Sequence, residues 1–271
     1  MTVQLLSPPC LTSSSLDITW NLLPEDYPIP DDPVDNRTQP LLAAALSDSL
    51  SSVKGLPLDS ITCTNYPVCA TVNDQTVLKA PDWMYVAQIT VPKTEVNRSY
   101  TPYEQGDIPA IVMEFLSHKE GGEYSVKPTY PPGKWFFYET ILKVPYYTIF
   151  EPESGELEVY TLDESDRYTL QTPNHAGRYW IEPMQLFLGI WQGNWRDRSG
   201  YWLRWWDDQD NLLLFDSERA EQEHRRAEQE RQRAEQEYQR AEQEHQRAEQ
   251  ERLRSERLLA QLRAAGLEPD I

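Results

Sequence analysis

The sequence predicts an α/β (α+β) domain with a central mixed sheet flanked by helices, followed by one long C-terminal helix. Three observations lead to this prediction: short strand-like apolar runs, two helical segments among them, and a charged repeat that begins near residue 217. All nine Trp and 14 of the 15 Tyr precede that repeat. A body of about 200 residues with so many aromatic side chains can bury one core, so we expect a single globular domain there.

Five short apolar runs predict the strands of the sheet. Their lengths and their Val, Ile, Tyr and Trp content are typical of strands. The runs cover residues 76–79, 83–91, 110–116, 146–150 and 156–162. A further stretch near the end of the body, residues 178–215, is rich in Trp. We expect it to form strands and turns that close the domain.

Two segments predict helices that pack on this sheet. Leu and Ala side chains recur at helical spacing through residues 38–53, which indicates an amphipathic helix. A second helix is predicted over residues 134–143, because a Pro-Pro-Gly turn precedes it and a Val-Pro pair must end it. In that helix Phe137, Tyr138 and Ile141 should face the sheet. The order helix, strands, helix, strands is typical of a mixed sheet with flanking helices.

The two ends of the chain differ from the body. Residues 1–36 are rich in Pro, Asp and Ser, and we expect an irregular arm. Over residues 217–265 the string RAEQE occurs five times at a spacing of seven, and its local preferences are helical. With Ala at heptad position d, position a holds His, Arg or Tyr, so a strong coiled coil is not predicted. A long solvated helix supported by Glu–Arg pairs, and an oligomerising or partner-binding coil, both stay open. Residues 266–271 form a short tail.

The charge of the chain bears on its partners. The net charge is −19, of which the first 216 residues, with 14 basic and 30 acidic groups, carry −16. Such a body attracts nucleic acid poorly in general, because nonspecific binding depends on neutralising phosphates. Binding of DNA would therefore need a local basic patch, for which the candidates are Lys119, Lys127, Lys134 and Lys143.

Cysteines and apolar runs limit the class of protein. The thiols of Cys10, Cys63 and Cys69 have no His or further Cys nearby to complete a zinc site, so we expect reduced thiols in a cytoplasmic protein. No apolar run approaches the ~20 residues of a membrane span. The first residues lack a basic region before an apolar one, so no signal peptide is expected. Neither a Gly-rich phosphate loop nor Ser–His–Asp spacing is present.

Two acidic residues occupy positions where a strand should be apolar. Asp82 lies in APDWMYV and Glu114 ends the run AIVMEF. An acid at a strand end can simply be exposed or paired with a basic residue. With Lys134 at the start of the next helix, however, the two carboxylates form a set that could hold Mg²⁺ (or Mn²⁺) through oxygen ligands, aided by a backbone carbonyl next to Glu114. The lysine could orient a water and offset charge on a phosphate.

These residues lie in four strings, PDWMYV, IPAIVMEFLS, GKWFFYETIL and KVPYYTIFEP, which together resemble the Uma-two restriction endonuclease family of the PD-(D/E)XK superfamily. The resemblance covers about residues 28–206 and implies a restriction-endonuclease-like domain over residues 37–216. It further implies DNA as substrate, a divalent metal on Asp82 and Glu114, and hydrolysis that leaves a 5′-phosphate. Lys134 matches the lysine that has moved from the strand to the following helix.

The chain departs from the family pattern at several positions. Leu116 stands where a plain E-x-K motif has its lysine, so Lys134 is indispensable to the nuclease hypothesis, with Lys119 and Lys127 as rivals. Ala110 stands where many relatives carry a second Asp. The upstream helix lacks a clear matching acid, and the nearest candidates are Asp35 and Gln39.

Two other classes of function compete with the endonuclease. In the first, the nuclease-like domain is an inactive scaffold, and the heptad helix mediates self-association, for example as a homodimer, or binds partners. In the second, the Trp-rich segment binds a carbohydrate or nucleotide through side chains such as Trp202, although such aromatics more commonly fill a core. His118 could contact a phosphate, whereas a lone surface His is more commonly just solvated, and His175 is expected to be structural or exposed.

Overall fold

The computed structural model of the protein describes residues 16–29, 37–51, 53, 55–117 and 122–264. The chain divides into two units, Met1–Phe215 and Asp216–Ile271. The predicted site residues Asp35, His118 and Lys119, and the thiol of Cys10, lie outside the described residues, as does the predicted tail 266–271.

A six-stranded sheet, in the order β2-β5-β6-β7-β8-β9, forms the centre of the first unit. The strands of the chain are β1 (Ile18–Thr19), β2 (Ile61–Thr64), β3 (Val68–Val72), β4 (Gln75–Lys79), β5 (Trp83–Val86), β6 (Ile111–Phe115), β7 (Tyr146–Glu151), β8 (Glu156–Leu162), β9 (Tyr168–Leu170), β10 (Arg178–Ile181), β11 (Leu186–Trp195) and β12 (Arg198–Trp206). Within the central sheet β6 and β7 are parallel, and the other neighbours are antiparallel. The prediction of a mixed sheet is confirmed.

Two smaller sheets accompany the central one. β1, β3 and β4 form a three-stranded sheet, so the described part of the N-terminal arm contributes one short strand. The Trp-rich segment forms the antiparallel sheet β10-β11-β12, in agreement with its prediction as strands and turns.

The helices α1 (Thr38–Leu50), α2 (Lys134–Phe136) and α3 (Asp216–Ala264) lie where the sequence predicts helices. α1 ends before residue 53, the predicted limit. α2 is only one α-helical turn long, and it continues as a π-helical segment, Phe137–Leu142. Phe137, Tyr138 and Ile141 are buried as predicted. A wider π turn shifts the side chains that follow it, and such turns are frequent at functional sites.

The alternation of side chains along β6 assigns them to the two faces of the central sheet. Ile111, Met113 and Phe115 pack in a core that also contains buried side chains of α1 and β12. Val112 lies on the other face, in a second core with the π-helical segment and β3. Glu114 also points to this second face, where it is bound by Tyr138. A carboxylate therefore occupies a position that alternation would otherwise give to an apolar side chain.

One predicted strand is too long, and the short strands β1, β2, β3 and β9 were not predicted. The run 83–91 leaves the sheet after Val86, and Ile89 forms only an isolated bridge with Gly106. β5 pairs with β2 on one side and β6 on the other, and the register with β2 ends at Val86. The length of β5 is therefore set by its partners, which the local pattern does not reveal. β2 and β3 contain Thr and Cys and lack the apolar runs on which the prediction rested.

The second unit contains α3, a helix of 49 residues, which at ~1.5 Å per residue is roughly 73 Å long. No described residue of α3 is buried. Glu–Arg ion pairs, as predicted for a solvated helix, occur between Arg225 and Glu221 and between Arg252 and Glu249. None of the helices in the described ranges combines the length and apolar character needed to cross a membrane.

Candidate active site

The structure brings Asp82 and Glu114 to the same end of two neighbouring strands. β5 and β6 are antiparallel with Trp83 opposite Met113, and continuing this register places Asp82 opposite Glu114. Directly opposite residues of an antiparallel pair have Cβ atoms about 4.5–5.5 Å apart. The Asp82 carboxylate is fixed there, because its Oδ2 accepts a hydrogen bond of 2.6 Å from the backbone N–H of Phe115.

Both oxygens of the Glu114 carboxylate are bound by side chains of the helix that follows β6. The side chain of Glu114 is fully buried. Its Oε2 accepts a hydrogen bond of 2.9 Å from Lys134 Nζ, and its Oε1 accepts one of 3.0 Å from the Tyr138 hydroxyl. Lys134 begins α2 and Tyr138 lies in the π-helical segment, about one turn later. The helix therefore positions both donors on one carboxylate.

A third carboxylate, that of Glu123, also contacts the lysine. Its Oε1 lies 3.3 Å from Lys134 Nζ, and the backbone carbonyl of Glu123 accepts a hydrogen bond of 2.8 Å from the Tyr147 hydroxyl. Glu123 was not predicted as a site residue. It lies in the irregular connection between β6 and α2, where no periodicity indicates which side chains turn inward.

The electrostatics of the site follow from its burial. Burial raises the pKa of Glu114 to about 8; the Lys134 ammonium opposes this shift, and the nearby Asp82 carboxylate adds to it. Burial alone would lower the pKa of Lys134, but Glu114, with Glu123 and Asp82, outweighs this effect and raises it above its ordinary value. Lys134 is therefore protonated at neutral pH. Even with this ammonium in place, ionisation of Glu114 remains unfavourable, so a further cation beside the two strand carboxylates would stabilise the charged form.

The donors around this position fit a hard divalent cation. Within the described ranges, no group of three or more His, Cys, Asp or Glu side chains is arranged to hold a metal. Asp82 and Glu114 nevertheless offer two carboxylates, and the carbonyl of Phe115, the residue directly after Glu114, is a further oxygen donor next to them. Mg²⁺ is commonly held by one or two carboxylates, with waters and substrate phosphate completing its shell. Gln39 of α1 donates a hydrogen bond of 2.8 Å to the Phe115 carbonyl, so this candidate from the upstream helix does reach the site.

The other predicted lysines differ in position. Leu116 packs with its side chain against the second core, so the position of an E-x-K lysine is taken by an apolar group. Lys127 is exposed, and its backbone carbonyl accepts a hydrogen bond from Gly133, just before Lys134. Lys143 of the predicted basic patch forms an ion pair with Asp166. Because this acid offsets its charge, Lys143 adds less positive charge to the patch than the sequence suggests.

The Trp-rich segment serves mainly the core. Trp202 and Trp205 are fully buried, and Trp195 and Trp206 are each 6% exposed. A fully buried indole cannot stack on a ligand at the surface, so the hypothesis of a binding module built on Trp202 is not supported. His175 is exposed in a turn, as expected.

Comparison with known proteins identifies a family. The sequence model of the Uma2 family, described as "Putative restriction endonuclease", matches residues 27–193. The match includes Asp82, Glu114 and Lys134 and ends before α3. No curated protein matches the chain. The resemblance that the four sequence strings predicted is thus confirmed over most of the first unit.

Proposed function

Since the chain belongs to the Uma2 family of restriction endonucleases, we propose that it is a metal-dependent endonuclease that hydrolyses phosphodiester bonds of DNA. One observation carries the proposal beyond the family. Lys134 Nζ lies 2.9 Å from the buried carboxylate of Glu114, which stands opposite Asp82 on the neighbouring strand. The two carboxylates that would hold the metal are therefore adjacent to an ammonium group, although the lysine comes from a helix.

Each side chain has a definite role in this proposal. Asp82 and Glu114 hold the cation, Mg²⁺ or Mn²⁺, together with the Phe115 carbonyl. When bound, a divalent cation neutralises charge on the scissile phosphate and lowers the pKa of a water. An ammonium has three N–H donors, and Lys134 directs two of them at Glu114 and Glu123. The third is left for the attacking water or a phosphate oxygen, and the product would carry a 5′-phosphate.

Cleavage of supercoiled plasmid and single-stranded DNA tests this proposal. The full chain should cut in Mg²⁺ or Mn²⁺ and not in EDTA. Asp82→Ala and Lys134→Ala should each lose at least about a hundredfold in rate. Lys93→Ala is the matched control, because Lys93 is an exposed lysine in a short 3-10 helix elsewhere in the chain, and it should cut like the wild type. Cutting that survives in both site variants would show that the site is wrong or that a contaminant cuts.

The second candidate is an inactive scaffold whose helix α3 binds partners or self-associates. The observation that favours it is the charge of −16 on the first 216 residues, which opposes DNA binding. Sedimentation of the full chain over a wide concentration range tests self-association. A concentration-dependent dimer, together with no cutting in any metal, would favour the scaffold. A monomer that cuts in Mg²⁺ would exclude it as the main function.

A further inference from the structure

We propose that Lys79 and Lys127 bind a phosphate group of the nucleic acid strand beside the Asp82–Glu114 pair. The proposal rests on the endonuclease function proposed above, and it adds the residues that would hold the strand. It names Lys79, which no motif of the sequence indicates.

The fold places both lysines next to the site. Lys79 is the last residue of β4, three residues before Asp82. The connection between β6 and α2 is fastened to this strand, because the Tyr130 hydroxyl donates a hydrogen bond of 3.0 Å to the Thr76 carbonyl. The same connection turns back at Gly133, whose N–H donates to the Lys127 carbonyl at 2.9 Å. Lys127 is thereby held near the start of α2, where Lys134 lies.

Close packing leaves residues 122–133 of this connection little freedom. A Cβ at Gly133 would lie 2.1 Å from the backbone oxygen of Ser125, a contact that no side chain could make. The Tyr147 hydroxyl binds the Glu123 carbonyl from the central sheet. The loop that carries Lys127 is therefore anchored to β4, to β7 and to the beginning of α2.

Lys79 has an unfavourable environment for a cation. It is half-buried, and it forms no ion pair with any residue that the structure describes. Burial lowers its pKa, and the Lys134 ammonium lowers it further; Glu114 opposes this effect, and Lys127 adds to it. The ammonium groups of Lys134 and Lys127 thus lie close enough to repel that of Lys79, in a domain whose net charge is strongly negative. A phosphate among them would relieve the repulsion and replace lost hydration.

Several other cations of the first unit do have acidic partners. Lys143 is paired with Asp166, Arg167 with Glu139, and Arg178 with Asp210. A domain with this excess of acids could readily provide a partner for a half-buried lysine. An anionic ligand as the partner of Lys79 would explain why this lysine has no acidic partner among the described residues. A nucleic acid strand bound at the adjacent site would place a phosphate there.

The test is binding of a short fluorescein-labelled DNA duplex, and of the matching single strand, to the full chain in Ca²⁺ at several salt concentrations. Each phosphate contact contributes about 0.7–0.9 to the slope of log K against log salt. Lys79→Ala and Lys127→Ala should each weaken binding and reduce the slope by about 1, and Lys79→Arg should restore most of it. Lys93→Ala removes the same charge from an exposed position and should leave the slope unchanged.

The Tm of Lys79→Met distinguishes a phosphate-binding lysine from a structural one. Removing a desolvated and repelled charge should raise Tm, whereas losing a structural lysine should lower it. Weaker binding with an unchanged or higher Tm supports the phosphate site.

The outcomes separate this inference from the proposed function. If the wild type cuts DNA and the Lys79 and Lys127 variants bind like Lys93→Ala, the phosphate site is wrong and the endonuclease stands. If binding depends on both lysines but no metal gives cutting, the phosphate site stands and the endonuclease is wrong. If the wild type binds neither duplex nor single strand, both are overturned.

Discussion

Lys134 and Glu114 meet at 2.9 Å although 20 positions of sequence separate them. The two positions after Glu114 are Phe115, which belongs to the first core, and Leu116, which packs against the second. The strand position where a plain E-x-K motif has its lysine is therefore occupied by an apolar side chain. The ammonium is instead supplied by Lys134 in the first turn of α2, and it donates a hydrogen bond to the buried Glu114 carboxylate.

Tyr138 should stabilise the fold through its bond to Glu114. Its buried hydroxyl donates to Glu114 Oε1, and Tyr138→Phe would leave this oxygen without that partner. We expect a loss of about 1–3 kcal/mol in the free energy of unfolding, the usual cost of an unsatisfied buried polar group. Urea unfolding followed by Trp fluorescence measures it.

The matched control is Tyr124→Phe. Tyr124 is 48% exposed, and its hydroxyl donates to Glu158 at the surface. Its replacement should change the free energy of unfolding by less than about 0.5 kcal/mol. Equal losses of unfolding free energy in the two variants would contradict a stabilising role of the hydrogen bond from Tyr138 to Glu114.

Glu123 should act as a positioning residue for Lys134. Glu123→Gln keeps the size of the side chain but removes the charge that faces the ammonium. We expect kcat on plasmid DNA to fall about fivefold to tenfold, equivalent to ~1–1.4 kcal/mol, while KM changes less than about twofold. The exposed Glu104→Gln is the control, and it should leave both constants unchanged. An effect on KM alone would assign Glu123 to substrate binding instead.

The Cys63 thiol should be unreactive in the folded protein. Burial raises its pKa from 9.0 to about 11. The thiolate is the reactive form, so at pH 8 Cys63 should have roughly a hundredfold less thiolate than an ordinary cysteine, and its labelling rate should rise with pH until about 11.

Iodoacetamide labelling of the Cys10→Ser variant, followed by peptide mass spectrometry, measures this rate. The same protein in urea provides the reference for an exposed thiol. Labelling of Cys63 at pH 8 that is as fast in the folded protein as in urea would contradict the burial of this side chain.

The sequence was sufficient for the parts of the fold that depend on local patterns. The helix that begins at Lys134 was predicted because Pro-Pro-Gly and Val-Pro delimit it, and its buried face follows from its spacing. Asp82 and Glu114 stood out because strands rarely carry a charge on a buried face. Each of these signals lies within a few residues of chain.

The rest of the site depends on contacts between distant segments. Glu123 and Lys127 lie in a connection without periodicity, and only its hydrogen bonds to β4, to β7 and to the start of α2 show where this segment lies. Lys79 ends an ordinary strand, and its neighbours belong to another loop and helix. Tyr138 was expected to face the sheet, but its bond to Glu114 requires the register between helix and strand, which the sequence does not give.

A calorimetric titration of Mn²⁺ into the full chain tests the metal centre most directly. The variants are Asp82→Asn and, as a control with the same change of charge, Asp74→Asn in the exposed β3–β4 turn. We expect one ion per chain in the wild type and in Asp74→Asn, and at least about tenfold weaker binding, ~1.4 kcal/mol, in Asp82→Asn. Equal binding by all three proteins, or no binding by the wild type, would contradict a metal centre formed by Asp82 and Glu114.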